Sequence, residues 1–236
     1  MIILAFDGTA KCASCAVLRD EVCLGEYNID NGLTQSELLL PMAESLMKSL
    51  KLNFSDVDLY ATSVGPGSFT GVRIGAALVK GLAFGRDIPC AAVSTLDGLA
   101  ENLRGLKGII VPVMDARRGQ VYSAIFRCDG EKMEKLAEDM AIAIKDLGEM
   151  LRQYEGESIY LVGDGYDVAR RGITDSRIKL EITPHGMRNE SAASVARVAH
   201  RQYNEGNTVS DSELSPTYLR LPQAERERLE RSNNNG

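Results

Sequence analysis

Three short segments at the start of the chain predict strands: residues 2–6, which are continuously apolar, residues 12–18, which alternate, and residues 22–29. A period of two is typical of β-strands that turn one face toward a core. The turns between the segments are short enough for an antiparallel meander. Apolar spacing then predicts a helix between residues 34 and 51. Because Pro41 lies inside this span, the helix either begins at the proline or kinks there.

The same succession of elements begins a second time further along the chain. After the first helix we predict a strand at 59–64, a helix at 70–84 and a strand at 90–93. The second succession comprises strands at 109–114, 120–126 and 132–136, a helix at 144–154, a strand at 158–162 and a helix at 191–204. The repeat predicts two lobes of similar α/β construction.

A glycine-rich turn, GPGSFTGVRIG at residues 65–75, joins a predicted strand to a predicted helix. Backbone N–H groups and the helix dipole at such a helix start favour an anion, and glycines permit its close approach. The candidate phosphate-contacting residues are Asp7, Gly65, Gly67, Ser68, Thr70 and Arg73. The spacing is neither that of a Walker A loop nor that of a dinucleotide fingerprint. Glycines that only permit the φ angles of a tight turn give the same pattern, so both interpretations stay open.

Carboxylates follow the first strand of each predicted lobe, Asp7 in one and Asp115 in the other. One broad class of ATP-using folds holds Mg²⁺ and phosphates with carboxylates in these positions, whereas an Asp that caps its own turn needs no ligand. The second turn also carries Arg117 and Arg118, whose guanidinium groups suit a phosphate or a carboxylate. Exposed turn arginines are also common without any ligand, and the pattern does not separate the two cases.

The first predicted helix has an unusually wide apolar face. Its apolar residues spread over about 200° of the helix, whereas a single core-facing stripe needs little more than about 100°. The second helix is rich in glycine and alanine and permits close helix contact. The wide face therefore indicates either a partner protein or burial against the second helix within one domain. The candidate partner-contacting residues are Leu38, Leu39, Met42, Leu46, Met47, Leu50, Gly75, Leu78 and Leu82.

The composition restricts the classes of function. The chain has 236 residues and a net charge of −6 at pH 7, which argues against strong independent binding to nucleic acid. It has no apolar run long enough for a membrane span, and its first residues predict a buried strand rather than a signal peptide. The five cysteines are an odd number, which favours the reducing cytoplasm.

Residues for metal or nucleophilic chemistry are scarce. Cys12 and Cys15 have CxxC spacing, but no second pair or nearby histidine completes a zinc site. His185 and His200 are the only histidines, so HxxxH and HExxH motifs are absent, and no GxSxG sequence presents a serine nucleophile. We therefore predict no metal site and no self-contained hydrolase.

Five sequence motifs together resemble one known family. They are ILAFDGT at 3–9, SELLLP at 36–41, GPGSFTGVRIG at 65–75, DARRG at 115–119 and PTYLR at 216–220. The chain resembles the TsaB family, also called YeaZ, from residue 2 to about residue 228, with the motifs in the same order. The glycine-rich motif is close to diagnostic of that family.

The resemblance implies a two-lobed fold of the actin, sugar-kinase and heat-shock ATPase class, with duplicated βββαβα lobes. The first lobe would comprise residues 1–105 and be joined by residues 206–231, because the last helix is expected to cross back to it. The second lobe would comprise residues 106–205, and residues 232–236 would be a disordered tail.

The resemblance also implies a function. TsaB is the non-catalytic subunit of the bacterial machinery that makes threonylcarbamoyladenosine on tRNA. It is a paralogue of TsaD, which transfers the threonylcarbamoyl group to adenosine 37 of tRNAs that read ANN codons. The metal site of TsaD rests on an HxxxH motif that this chain lacks, so no catalytic role carries over.

Partners and cofactors follow from the same resemblance. The expected partners are a TsaD-like transferase, paired through the N-terminal helices, and a TsaE-like ATPase. We expect tRNA contact only within that complex, a homodimer as one form of the isolated chain, and no membrane. We expect no cofactor of its own, with ATP or ADP bound only at a partner interface.

Two departures from the family pattern leave alternatives open. Gln35 stands where many relatives have histidine, and Asp7-Gly8-Thr9-Ala10 replaces the usual Asp-Thr-Ser or Asp-Thr-Ala, which puts phosphate binding by this lobe in doubt. One alternative is an ATP-dependent phosphotransferase in which Asp7 and Asp115 handle Mg²⁺. A tRNA-binding module that uses Arg117 and Arg118 is another, and a metallo-endopeptidase is the weakest.

Overall fold

The computed structural model of the protein describes residues 1–220. Two β-sheets organise these residues, one of five strands and one of four. The strands are β1 Ile2–Asp7, β2 Ala13–Arg19, β3 Val22–Ile29, β4 Leu59–Ser63, β5 Cys90–Val93, β6 Lys107–Asp115, β7 Gln120–Asp129, β8 Met133–Ala143 and β9 Ile159–Val162. The helices are α1 Gln35–Ser49, α2 Phe69–Ala83, α3 Thr95–Glu101, α4 Ile144–Leu151, α5 Tyr166–Gly172 and α6 Ala192–Asn204.

The first sheet has the strand order β3-β2-β1-β4-β5. The predicted meander forms its antiparallel half, and β4 and β5 continue it in parallel beside β1. Both faces of β1 are buried, because Leu4 and Phe6 pack toward α1 and α2 while Ile3 and Ala5 pack toward α6. The first lobe is therefore a three-layered unit with helices on both sides of its sheet.

The second sheet repeats this arrangement with the order β8-β7-β6-β9. Helices α4 and α5 cover one face, and α3 covers the other. Both lobes thus follow the order βββαβα, and the prediction of a two-lobed α/β fold with duplicated lobes is confirmed.

The lobes exchange one helix each. Helix α3 lies within residues 1–105 but packs on the second sheet, and α6 lies within residues 106–205 but packs on the first. The alanines of α6 allow it to lie close against Ile3 and Leu59. The two helices also touch, because the buried carboxylate of Glu101 in α3 pairs with Arg201 in α6 at 2.7 Å.

The chain after α6 runs back along the first lobe. Val209 pairs with Cys90 at the edge of that sheet, and Leu214 is fully buried in its core. The predicted disordered tail at 232–236 lies outside the described residues.

Local sequence signals account for several element ends. Helix α1 begins at a capping box, in which the Thr34 N–H donates to Glu37 at 2.9 Å. Pro41 lies within this helix, on its exposed side, so the helix does not begin at the proline. Strand β8 extends to Ala143, well beyond the predicted 132–136, because it pairs along most of β7.

Within residues 1–220, no helix combines the length and the apolar character needed to span a bilayer.

Candidate functional site

Asp7 lies at the end of β1, where its carboxylate is only 2% exposed. Thr9 donates its backbone N–H to Oδ1 at 2.9 Å and its hydroxyl to the same oxygen at 2.6 Å. The hydroxyl of Ser63, at the end of β4, donates to Oδ2. Burial raises the pKa of the Asp7 carboxyl despite these three donors. This carboxylate acts as the cap of its own turn, which is the interpretation that needs no ligand.

The glycine-rich turn packs directly against the turn that follows β1. The Ser68 N–H donates to the Thr9 carbonyl at 2.7 Å. A Cβ on Gly67 would lie 2.6 Å from that carbonyl oxygen, and a Cβ on Gly71 would lie 1.8 Å from the carbonyl oxygen of Gly8. Real Cβ atoms do not approach that closely, so glycine is required for backbone to meet backbone. Protein atoms fill the space beside Gly67 and Gly71, so close packing accounts for both glycines.

The C-terminal segment of the described chain completes this packing. A Cβ on Gly65 would lie 2.4 Å from the carbonyl oxygen of Thr217. The ring of Tyr218 stacks on Phe69 with 4.9 Å between centroids, and the Tyr218 hydroxyl accepts a hydrogen bond from Arg73 Nε at 2.8 Å. Arg73 is therefore directed at the C-terminal segment. Ser68 caps α2 by accepting the Gly71 N–H at 3.3 Å, while Thr70 is exposed.

The turn after β6 differs from its counterpart after β1. Asp115 is exposed, and it accepts a hydrogen bond from the Arg117 N–H at 2.8 Å. Arg117 and Arg118 both adopt left-handed backbone angles, with φ of 65° and 56°, and both are exposed. Arg220 reaches the same turn from the C-terminal segment and donates to Gln120. The two arginines predicted as anion contacts therefore lie on an exposed turn of the second lobe.

A buried acidic cluster lies where the lobes meet. Glu190, just before α6, is 4% exposed, and its Oε1 accepts no hydrogen bond from the described residues. Burial raises the pKa of this carboxyl well above its usual range, and the charges of Asp7 and Asp164 raise it further. Sequence reasoning missed Glu190, because a residue that precedes a helix cap carries no sequence sign of burial.

Comparison with known proteins identifies the family. The family model described as "TsaD: tRNA N6-adenosine threonylcarbamoyltransferase" matches residues 34–228. The tRNA threonylcarbamoyladenosine biosynthesis protein TsaB of Bacillus subtilis (strain 168) is 32% identical over 98% of this chain and 99% of its own length. The chain belongs to the TsaB (YeaZ) family.

Two further similar proteins are consistent with this family assignment. The TsaB protein of Escherichia coli (strain K12) is 29% identical over 93% of this chain and 95% of its own length. A solved structure from Pseudomonas aeruginosa, described as having similarity to peptidase YEAZ, superimposes with a TM-score of 0.78 at 25% identity. It covers 93% of this chain and 99% of its own.

Most of the residues predicted as partner contacts on α1 and α2 are buried within this TsaB-family chain itself. Five of the predicted contacts on α1 are buried in the core of the first lobe: Leu38, Leu39, Met42, Leu46 and Met47. Gly75 is also buried, because its backbone lies against Thr62, while Leu50, Leu78 and Leu82 are half-buried. The wide apolar face therefore reflects a helix held between its own sheet and α2.

The outer side of these two helices still carries apolar residues that sequence reasoning did not select. Leu40 on α1 is 39% exposed, and Phe84, directly after α2, is 79% exposed. Pro41, Ala77 and Gly81 share this exposed side. We call the surface formed by Leu40, Pro41, Ala77, Gly81 and Phe84 the outer helix face.

Two observations concern metal and thiol chemistry in the described part of the chain. Residues 1–220 contain no group of three His, Cys, Asp or Glu side chains placed to hold a metal ion. Burial raises the pKa of the Cys12 thiol to about 11, with the Glu190 charge as the next cause. The thiol is therefore protonated at neutral pH, and the CxxC pair offers no ready thiolate.

The contact between Gly71 and Gly8 generates a first prediction. We expect Gly71→Ala to lower the free energy of unfolding by about 3 kcal/mol or more, because the added methyl group would overlap a backbone carbonyl. Gly81→Ala lies in the same helix, where no atom would be within 4 Å of the new Cβ. We expect this control to raise the free energy of unfolding by about 0.5–1 kcal/mol. Equal effects of the two variants in urea denaturation would contradict the packing account.

Glu190 generates a prediction about pH. A carboxyl with a raised pKa binds its proton more tightly in the folded state, so folding stability falls as pH rises above the usual value of 4.5. We expect the stability of Glu190→Gln relative to the native chain to increase between about pH 4 and about pH 8, by about 1 kcal/mol or more. Urea denaturation at several pH values measures this difference. A relative stability that is flat or falls with pH would show that Glu190 is ionised without penalty.

Proposed function

We propose that this chain is a non-catalytic subunit that supports the formation of threonylcarbamoyladenosine in tRNA by pairing with a TsaD-like transferase. The observation that carries the proposal is the similarity to TsaB proteins over nearly the whole chain. The match of the TsaD family model supports a shared ancestry with the transferase. The chain lacks the HxxxH motif that a metal-dependent transferase of this family would need.

The first lobe supports a scaffold role rather than phosphotransfer. Asp7 is buried and held by three donors of its own chain, and Gly67 and Gly71 lie against backbone carbonyls. An enzyme that uses these turns for Mg²⁺ and phosphates would need them open toward the ligand. We therefore propose that the chain has no nucleotide of its own and that ATP or ADP binds only where it meets a partner.

The outer helix face is the surface that we assign to the TsaD-like partner. It is apolar, it lies on the first two helices, and its exposed leucine and phenylalanine would gain from burial. A TsaE-like ATPase would join the pair, and tRNA would be bound only by the complex, with Arg117 and Arg118 as candidate contacts. The five cysteines of the chain form no disulfide, which is consistent with a location in the reducing cytoplasm.

Reconstituted tRNA modification tests this proposal. The reaction contains unmodified tRNA, the transferase, the ATPase, ATP and the enzyme that makes threonylcarbamoyl-adenylate, with the chain present or omitted. Mass spectrometry measures the modified adenosine, and size-exclusion chromatography measures pairing. We expect omission to abolish product and Leu40→Asp to weaken pairing about tenfold or more, because a buried charge without a partner is costly.

Ile182→Asp provides the matched control, because Ile182 is 72% exposed and lies on the second lobe. We expect its pairing and product yield to equal those of the native chain, and circular dichroism must show that both variants are folded. Full product without the chain would contradict the scaffold function. Normal pairing of Leu40→Asp would contradict the outer helix face as the partner surface. It would not bear on the scaffold function, which the reaction without the chain tests separately.

A further inference from the structure

Asn31 and Gly32 form an exposed dipeptide in the loop between β3 and α1. Every other asparagine within residues 1–220 is followed by a residue that carries a side chain, so this is the single Asn-Gly pair there. An asparagine side chain lies within reach of the backbone nitrogen of the next residue, and a glycine at that position has no Cβ to obstruct attack on Cγ. The pair therefore has the residues needed for a reaction between side chain and backbone.

The folded loop leaves the Gly32 nitrogen free to react. A Cβ on Gly32 would have no atom within 4 Å, and the φ of Gly32 is 81°, which glycine adopts without strain. The Gly32 N–H donates no hydrogen bond to any residue in the described part of the chain. No hydrogen bond of a helix or a sheet would therefore have to break before this nitrogen reacts.

One contact within the loop favours the reaction directly. The Leu33 N–H donates to Asn31 Oδ1 at 3.1 Å. Attack on Cγ places negative charge on this same oxygen, and a backbone N–H directed at a developing oxyanion stabilises it. Asn28 offers a comparison, because it is also exposed but lies within β3, paired with Ser14, and precedes the β-branched Ile29. The loop thus distinguishes two neighbouring asparagines.

We propose that Asn31 is a site of spontaneous deamidation in the folded protein. The Gly32 nitrogen loses its proton to hydroxide and bonds to Asn31 Cγ. The Cγ–Nδ2 bond then breaks, and Nδ2 takes a proton from water and leaves as ammonia.

The resulting succinimide has the Gly32 nitrogen bonded to both carbonyl carbons of residue 31. Water adds at one of these carbons, and the C–N bond there breaks. Cleavage at Cγ gives aspartate, and cleavage at the main-chain carbon gives isoaspartate. The net reaction consumes one water and releases one ammonia, and nothing is oxidised or reduced.

Both products place a carboxylate where the loop now carries a neutral amide. The neighbouring Asp30 and Leu33 line a cavity of about 410 Å³ together with Lys11, whose side chain is exposed, so water has access to this loop. Isoaspartate also lengthens the main chain by one carbon just before Thr34, the N-cap of α1. Deamidation therefore changes both the charge and the backbone at the start of α1, and it does not depend on pairing with a transferase.

Peptide mass spectrometry of the full chain tests the proposal. The chain is kept for several days in warm, mildly alkaline buffer and digested with trypsin, and a sample digested without incubation gives the background. Asn28 and Asn31 fall in the same tryptic peptide, since no Lys or Arg lies within residues 20–47. Fragment masses locate each conversion of amide to acid. We expect Asn31 to convert about tenfold or more faster than Asn28, with both aspartate and isoaspartate among the products.

Variants and a change of pH sharpen the test. Asn31→Gln adds a methylene and would need a larger ring, so we expect it to lose the conversion at this position. Asn207→Gln, at another exposed asparagine, should leave the conversion of Asn31 unchanged. Conversion should also be slower in mildly acidic buffer, because the Gly32 nitrogen must lose a proton before it attacks. Full conversion of Asn31→Gln, or a rate independent of pH, would contradict the mechanism.

The native chain alone can overturn the proposal. No conversion at Asn31, or equal rates at Asn28 and Asn31, would show that neither the glycine nor the loop promotes the reaction. Conversion only in the urea-denatured chain would show that the folded loop protects Asn31. Aspartate without isoaspartate would show direct hydrolysis of the side-chain amide by water instead of attack by the Gly32 nitrogen.

Discussion

The contact between the glycine-rich turn and the turn after β1 is the constraint on which the first lobe depends. Gly71 and Gly8 bring two backbone segments together at a distance that no side chain would allow. This approach brings the start of α2 against the turn after β1, in which Thr9 donates to Asp7. One backbone contact thus links the turn that holds Asp7 to the start of α2.

The two lobes are joined by more than the chain connection. Helices α3 and α6 each pack on the sheet of the other lobe and are tied together by the buried Glu101 and Arg201 pair. The C-terminal segment adds a second link, since it packs on the glycine-rich turn and then reaches the turn after β6 through Arg220. A protein that presents a fixed surface to a transferase benefits from such cross-connection, whereas an enzyme that closes on a nucleotide needs its lobes to move.

Elements that depend on local residue patterns were predicted correctly from the sequence. Features that depend on packing between distant parts of the chain were not. The meander and the repeat were readable because alternation has a period of two and each strand is bounded by turn residues. Helices α3 and α5 were missed because seven residues make too few turns for a periodic signal. That the last helix crosses back to the first lobe was expected only through the family resemblance, since the alanine face of α6 would suit either sheet. The apolar face of α1 was seen correctly, but helical periodicity gives its width and not whether a sheet or a partner covers it.

The same limit applies to the candidate site. Sequence patterns identified Asp7, the glycines and the paired arginines. Only the packed backbone shows that close contact accounts for Gly67 and Gly71.

The central claim is that these turns are filled by the protein itself. Calorimetric titration of the isolated full chain with Mg²⁺ and ATP tests it most directly. The account predicts no saturable binding. One-to-one binding that Asp7→Ala abolishes would contradict the account and would favour a phosphotransferase.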